Sequence, residues 1–258
     1  MTVICAFGMQ WGDEGKGRIV DLLAAKADVV VRYQGGANAG HTVIVGEEKY
    51  VLHMLPSGVI QTATTHVIAN GVVIDPWVLM EEVDGLAERG ISLGGRLLVS
   101  DRAHVVLPYH RHLDRAMETL RGDAAIGTTS RGIGPTYGDK SMRDGLRVAD
   151  LLALHEAADR LLGNVAARNE ILERAGLEAL DPREVLREAK DVAERIRPYV
   201  TDTTAWLLDA WEDGRDILLE GAQGYGLDLD HGTYPFVTSS NTGPAAVGPG
   251  TGLPPKAI

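Results

Sequence analysis

Between the apolar run Val3–Phe7 and the helical pattern Arg18–Lys26, the chain reads Gln10-Trp11-Gly12-Asp13-Glu14-Gly15-Lys16-Gly17. A strand, a glycine-dense turn and a helix start in that order leave few choices of fold. They predict a βα junction whose turn offers free backbone N–H groups and the positive end of a helix to an anion. Asp13 and Lys16 add a charged pair to it. The ammonium can neutralise a phosphate oxygen, and the carboxylate can ligate a metal or accept a proton. The turn comes close to a P-loop without being one. From Gly8 to Gly15-Lys16 the spacing exceeds G-x-x-x-x-G-K, and Gly17 stands where a Ser or Thr would hold magnesium. A turn that only reversed the chain needs one or two glycines and neither charge.

The following residues carry the same alternation. Ile19, Leu22 and Leu23 lie at helical spacing, and Val29–Tyr33 is β-branched and apolar, which completes a βαβ unit. The expected fold class is therefore α/β, with a mostly parallel central sheet and ligands at the carboxyl ends of its strands. Val43–Val45 and Tyr50–Met54, joined across Gly46-Glu47-Glu48, read as a hairpin inserted into that sheet. Asn70-Gly71 is a turn between Val67–Ala69 and Val72–Ile74. Asp75-Pro76 reads as an N-cap with proline at the first helical position, opening a helix to about Arg89. Leu97–Val99 and Val105–Leu107 are strands, and Tyr109–Arg121 is a helix. Residues 122–145 read as a long polar loop punctuated by glycines, of the kind that carries function. Val148–Asp213 reads as a helical subregion broken near Gly163, Gly176 and Asp181-Pro182. Ile217–Leu219 returns to a strand. The end, Gly243–Ile258, is rich in glycine and proline and reads as a chain cut before a closing element, so the 258 residues are expected to form a single, incomplete α/β domain.

Composition narrows the function. A formal net charge of −11 argues against nonspecific nucleic-acid binding and against an anionic membrane surface. A small anionic substrate stays open where local Lys and Arg outweigh that field. Cys5, the single cysteine, sits in an apolar strand pattern without a neighbouring base, which reads as a packed thiol and excludes a disulfide framework. The sequence shows no run of eighteen apolar residues and no basic start followed by a hydrophobic stretch, so a cytoplasmic protein is expected.

Four segments carry the chemistry: Gln10–Gly17; Gly35-Gly36-Ala37-Asn38-Ala39-Gly40-His41-Thr42; Gly127–Pro135 continuing to Arg143; and Glu220–Gly224 continuing through Asp230-His231-Gly232-Thr233 to Thr242. Their order and spacing, from residue 2 to the last, resemble the adenylosuccinate synthetase family, GTP-dependent ligases that join L-aspartate to inosine monophosphate (IMP) in purine biosynthesis. Common bacterial members of that family continue well beyond residue 258, into the part that binds aspartate and recognises guanine. The resemblance implies a general base in Asp13, which takes the N1 proton of IMP so that its 6-oxygen attacks the γ-phosphate of GTP. It implies His41 as the partner acid. IMP contacts would be Asp13, Asn38, Thr129, Gln223 and Thr238, with Arg143 reaching across a homodimer interface to the neighbour's IMP. Gly12, Asp13, Glu14, Gly15, Lys16, Gly17, Gly40, His41 and Thr42 would hold the GTP phosphates, and Mg2+ would take the Asp13 carboxylate and the Gly40 carbonyl. Arg131 would shape the Thr128–Pro135 loop, and Trp11 would shield the site or pack at the base of its turn. His231 has no second histidine or cysteine at zinc spacing. Two other readings stand beside this one. A truncated, non-catalytic IMP-binding protein shares the IMP contacts, and an atypical P-loop kinase or regulatory GTPase explains only the first segment.

Overall fold

The computed structural model describes residues 1–45, 48–61 and 63–258. Its frame is a six-stranded, all-parallel sheet with strand order β1-β10-β2-β5-β7-β9. These strands are β1 (Val3–Gly8), β2 (Val29–Arg32), β5 (Thr65–Ile68), β7 (Leu97–Ser100), β9 (Val200–Thr201) and β10 (Ile217–Gly224). β2 lies inside the sheet and is buried at every position, which is why it reads as an unbroken apolar run up to Arg32. β10 comes from the far end of the chain and inserts between β1 and β2, placing Glu220 in register with Ala6 on one side and Arg32 on the other. The strand order therefore switches at β10, and a crevice opens at the carboxyl ends of β1, β10 and β2, where an open α/β sheet places its ligand.

Helix α1 (Lys16–Ala24) begins at Gly15 in the left-handed conformation and packs Val20 and Ala24 against Val30 and Leu218. β1 pairs only with β10 among the described residues, and near it Ile4, Ile19 and Leu22 stay exposed. The predicted hairpin exists as β3 (His41–Val45) and β4 (Glu48–Leu52), antiparallel with His41 opposite Leu52. It forms its own two-stranded sheet and is not inserted in the central one; Gly46 and Glu47 of its expected turn lie outside the described residues. β6 (Val73–Ile74) pairs in a third small sheet with β8 (His104–Val105). Asp75 caps α2 (Pro76–Ala87) as expected, its carboxylate accepting the Val78 N–H at 3.1 Å.

The main core lies between that side of the sheet and the helices α2, α3 (Pro108–Arg121), α5 (Val148–Leu152), α6 (Leu154–Arg174) and α7 (Pro182–Ile196). Three expectations change here. Residues 122–145 are not one loop, because Ile133–Met142 form α4, whose Gly134, Pro135 and Gly138 hide the helical pattern. α6 runs straight through Gly163, which sits mid-helix with open space around it. The stretch 148–213 also contains a strand, β9, before α8 (Thr203–Glu212). α9 (Val247–Thr251) and a short turn bury Val247, Leu253 and Ala257 beside Leu207 and Leu219.

Candidate functional site

The carboxyl ends of β1, β10 and β2 open into a cavity of about 1190 Å³. Gly12, Asp13, Gly15, Lys16 and Gly17 line it from the first turn, and Asn38, Gly40, His41 and Thr42 from the second segment. Thr129 lines it from the third, and Gln223 and Thr238 from the fourth. The predicted residues of four distant segments thus share one hollow.

Gln223 is the hinge of this arrangement. Its backbone is left-handed at φ 58°, uncommon for a residue with a side chain and a mark of local strain held by surrounding contacts. Its carbonyl accepts a hydrogen bond from Lys16 Nζ at 2.9 Å, while its Nε2 donates to Asn38 Oδ1 at 3.0 Å. Asn38 Nδ2 in turn reaches Thr238 Oγ1 at 3.5 Å. Two buried polar atoms of lining residues, His41 Nε2 and Gln223 Oε1, have no partner among the described residues. Buried polar groups are nearly always paired, so such orphans suit a ligand.

Electrostatics follow from burial. His41 is pulled down to about 4 by desolvation, against the opposing pull of Glu220, and is therefore a neutral imidazole near pH 7. Lys16 is lowered by desolvation and supported by Glu220 and Glu14. Asp13 lies in the exposed part of the turn. Asp13 and the Gly40 carbonyl supply hard oxygen donors on the cavity wall. No group of three or more His, Cys, Asp or Glu converges among the described residues. A carboxylate beside a backbone carbonyl is a donor set of the kind Mg2+ takes, since it prefers oxygen and keeps water and phosphate oxygens in its shell.

Two predicted residues are not brought into the cavity. Glu14 turns back on its own loop and accepts the Gln10 N–H at 2.6 Å. Arg143 ends α4 in the left-handed conformation and points to solvent, although its neighbours Met142 and Asp144 line the cavity. Arg131 lines a separate, smaller cavity beside β4 and α2. Trp11 is 54% exposed at the rim, with Gly226 approaching its ring so closely that a Cβ there would sit 3.0 Å away. His231 stacks on Tyr225. Cys5 is a packed thiol, its Sγ 3.8 Å from Tyr33 Oη.

Four residues to which the motifs assigned no role also matter, although Glu220 opens the fourth motif segment. Arg32, Ser57 and Glu220 line the cavity, and Glu82 lies behind it. A signal existed for two of them: Val29-Val30-Val31-Arg32 and Ile217-Leu218-Leu219-Glu220 each follow an apolar triplet with a charge, at the end of β2 and halfway along β10.

Comparison with known proteins agrees with the geometry. Residues 5–258 match the family profile described as adenylosuccinate synthetase. The chain is 54% identical over 255 residues to adenylosuccinate synthetase of Heliobacterium modesticaldum, covering 98% of this chain and 60% of that protein. It is 52% identical to the Acaryochloris marina protein of the same name, covering 98% and 57%. Among solved structures it matches fully ligated adenylosuccinate synthetase from Plasmodium falciparum with a TM-score of 0.89 and 36% identity, over 99% of this chain and 59% of that one. It also matches succinoaminodeoxyadenylate synthetase of cyanophage S-2L bound to dGMP and dATP, at TM-score 0.69, 26% identity, and 99% and 61% coverage. The chain therefore spans about three fifths of the length of these relatives. Its profile match and its identity to these proteins place it in the adenylosuccinate synthetase family.

Proposed function

We propose that this chain forms the IMP- and triphosphate-gripping part of a cytoplasmic, GTP-dependent ligase that converts IMP and L-aspartate to adenylosuccinate. The observation that carries this reading is the Gln223 junction, which ties Lys16 of the phosphate turn to Asn38 through one residue. A nucleotide bridging the Asn38–Thr238 wall and the Lys16 turn would lie with its base between them.

In this reading Asp13 accepts the N1 proton of IMP, and the electron pair released moves toward the 6-oxygen, which attacks the γ-phosphorus. The bond to the β-phosphate oxygen breaks, leaving GDP and 6-phosphoryl-IMP. Lys16 and the amides of Gly15 and Gly17 stabilise the charge that develops on the transferring group, the main need of phosphoryl transfer. Neutral His41 donates from Nε2 to a phosphate oxygen, which gives the orphaned atom its partner. Bound Mg2+, held by Asp13 and the Gly40 carbonyl, would neutralise further phosphate charge. The aspartate amine then displaces the 6-phosphoryl group as phosphate, losing a proton. The cyanophage neighbour carries dATP as its energy donor, which supports a turn that reads the triphosphate rather than the base. Arg143, solvent-facing beside the cavity, fits a homodimer in which it reaches the partner's IMP.

Calorimetric titration of this chain with IMP, then with Mg·GTP, tests the reading. IMP binding that weakens at least tenfold in Asn38→Ala and in Gln223→Ala is expected. Unaltered binding in both variants, or no binding by the parent chain, removes the site.

A further inference from the structure

We propose that Glu82, Arg32 and Glu220 are positioning residues that hold His53–Ser57 as a spacer between the glycine turn and the Gly40–His41 corner. The inference rests on the proposed reading of this cavity as a triphosphate site.

Three consecutive amides of the segment, those of His53, Met54 and Leu55, donate to the Glu82 carboxylate at 2.6, 3.1 and 3.0 Å. From the opposite side Arg32 donates to the carbonyls of His53 and Met54. Two residues on, Ser57 donates to Glu220 from both its N–H, at 2.9 Å, and its hydroxyl, at 2.5 Å. All three charged side chains are buried: Arg32 is 2% and Glu220 5% exposed, and the Glu82 side chain 8%. Among the described residues Arg32 forms no direct ion pair with either carboxylate. Their charges are answered mainly by the backbone of His53, Met54, Leu55 and Ser57, with the Ser57 hydroxyl on Glu220, the His53 ring 3.5 Å from Glu82, and the Gly36 carbonyl accepting from Arg32 at 3.2 Å. Buried charge is a poor source of stability, since apolar side chains of similar volume do as well or better. What the arrangement supplies is a fixed place for that backbone.

The place matters because of what the segment touches. A Cβ on Gly40 would lie 3.3 Å from His53 Cδ2, and one on Gly17 would lie 3.1 Å from His41 Cβ and 3.5 Å from Ser57 Oγ. His53 thus abuts the Gly40 corner, and Ser57 abuts the turn at Gly17. The five residues from His53 to Ser57 set the separation of the two walls that would grip a triphosphate. Positioning errors of an ångström are enough to slow a reaction by orders of magnitude.

Residue-resolved amide exchange and calorimetry on Glu82→Ala and Glu82→Gln test this. Glu82→Ala should speed exchange tenfold or more at His53–Leu55 and also at Gly17 and His41, leaving Val67 and Val99 in the sheet unchanged. Mg·GTP affinity should fall tenfold or more while IMP affinity stays within twofold, and Glu82→Gln should restore most of both. Faster exchange confined to His53–Leu55 with unchanged Mg·GTP affinity makes the clamp merely structural and overturns the proposal, as does unchanged exchange. If the parent chain takes up no Mg·GTP, the triphosphate reading falls, and exchange at Gly17 and His41 alone decides the spacer. Should Glu82→Ala fail to fold, Glu82→Asp, whose shorter side chain draws the carboxylate away from the three amides, carries the same comparison.

Discussion

Glycine is abundant both where β1 and β10 end and along residues 122–145, yet the two places use it differently. A Cβ on Gly224 would lie 2.5 Å from the Gln10 carbonyl oxygen and 2.6 Å from the Gly12 nitrogen; one on Gly12, at φ 94°, would lie 2.9 Å from Gln223 Cα. These are backbone atoms and cannot step aside. Around Gly127 and Gly138, by contrast, an added Cβ meets nothing within 4 Å. The first region is a close-packed floor in which two loops lie backbone on backbone beneath the Lys16–Gln223 bond. The second is open at Gly127 and Gly138 although Gly132 between them packs on the His110–Arg111 backbone, and the Gly127 corner is held by a single surface carboxylate. A preformed floor facing a loosely tethered wall is the arrangement expected of a site that closes over its ligand.

Gly224→Ala tests the floor most severely. No side-chain movement relieves a contact of 2.5 Å, so the two loops must separate. A loss of more than about 3 kcal/mol, or failure to fold, is expected in urea unfolding, as for other backbone strain and overpacking. Stability within about 1 kcal/mol of the parent would show that the loops have room and that the contrast between the regions is false.

Acid comes next, and it acts on both regions. Burial draws His41 beside the floor, His104 beneath the 122–145 stretch, and His66 in the sheet down to about 4. The unfolded chain protonates these imidazoles near 6.5, whereas the folded chain does so only near 4. Between those values the unfolded state binds more protons, so stability falls as pH drops from 6.5 to 4. The loss is on the order of 1–3 kcal/mol per histidine. Thermal unfolding midpoints should fall across that window. A flat midpoint from pH 7 to 4.5 would mean that these rings are solvated.

How much of this was legible in the sequence depended on distance along the chain. The phosphate turn, the Asp75-Pro76 cap and the apolar β2 run are local, and each was readable because backbone geometry and burial act within a few residues. α4 was not, because its glycines and proline depress helix propensity and only tertiary packing of Ile133 and Thr136 rescues it. The clamp was invisible for another reason. Ser57 and Glu220 are 163 residues apart, and nothing but the insertion of β10 between β1 and β2 brings them together. The motifs located the cavity, and the long-range register supplied the residues that shape it.

A smaller effect is expected from Gly138→Ala. The position is inside α4, faces open space and has no left-handed backbone. Alanine there lowers the entropy of the unfolded chain without a clash, and should raise stability by about 0.5–1 kcal/mol. A loss of stability would reveal a close contact on this wall and blur its distinction from the floor.

Glu118→Ala should change global stability least and the open wall most. The Glu118 carboxylate accepts the Gly127 N–H at 2.8 Å and those of Ile126 and Thr128 at 3.4 Å, and it is bridged by Arg121. These bonds hold the carboxylate below its usual range even though burial opposes them. Exposed pairs of this kind add little to unfolding free energy, because solvent and side-chain entropy offset them. They can still decide where a short loop sits. Amide exchange at Ile126–Thr128 should therefore rise severalfold in the variant while the unfolding midpoint stays put, and the amides of Gly12 and Gly224 should not respond at all. If Gly12 and Gly224 exchange faster too, floor and wall move as one body, and a lid that closes independently over Thr129 no longer describes this site.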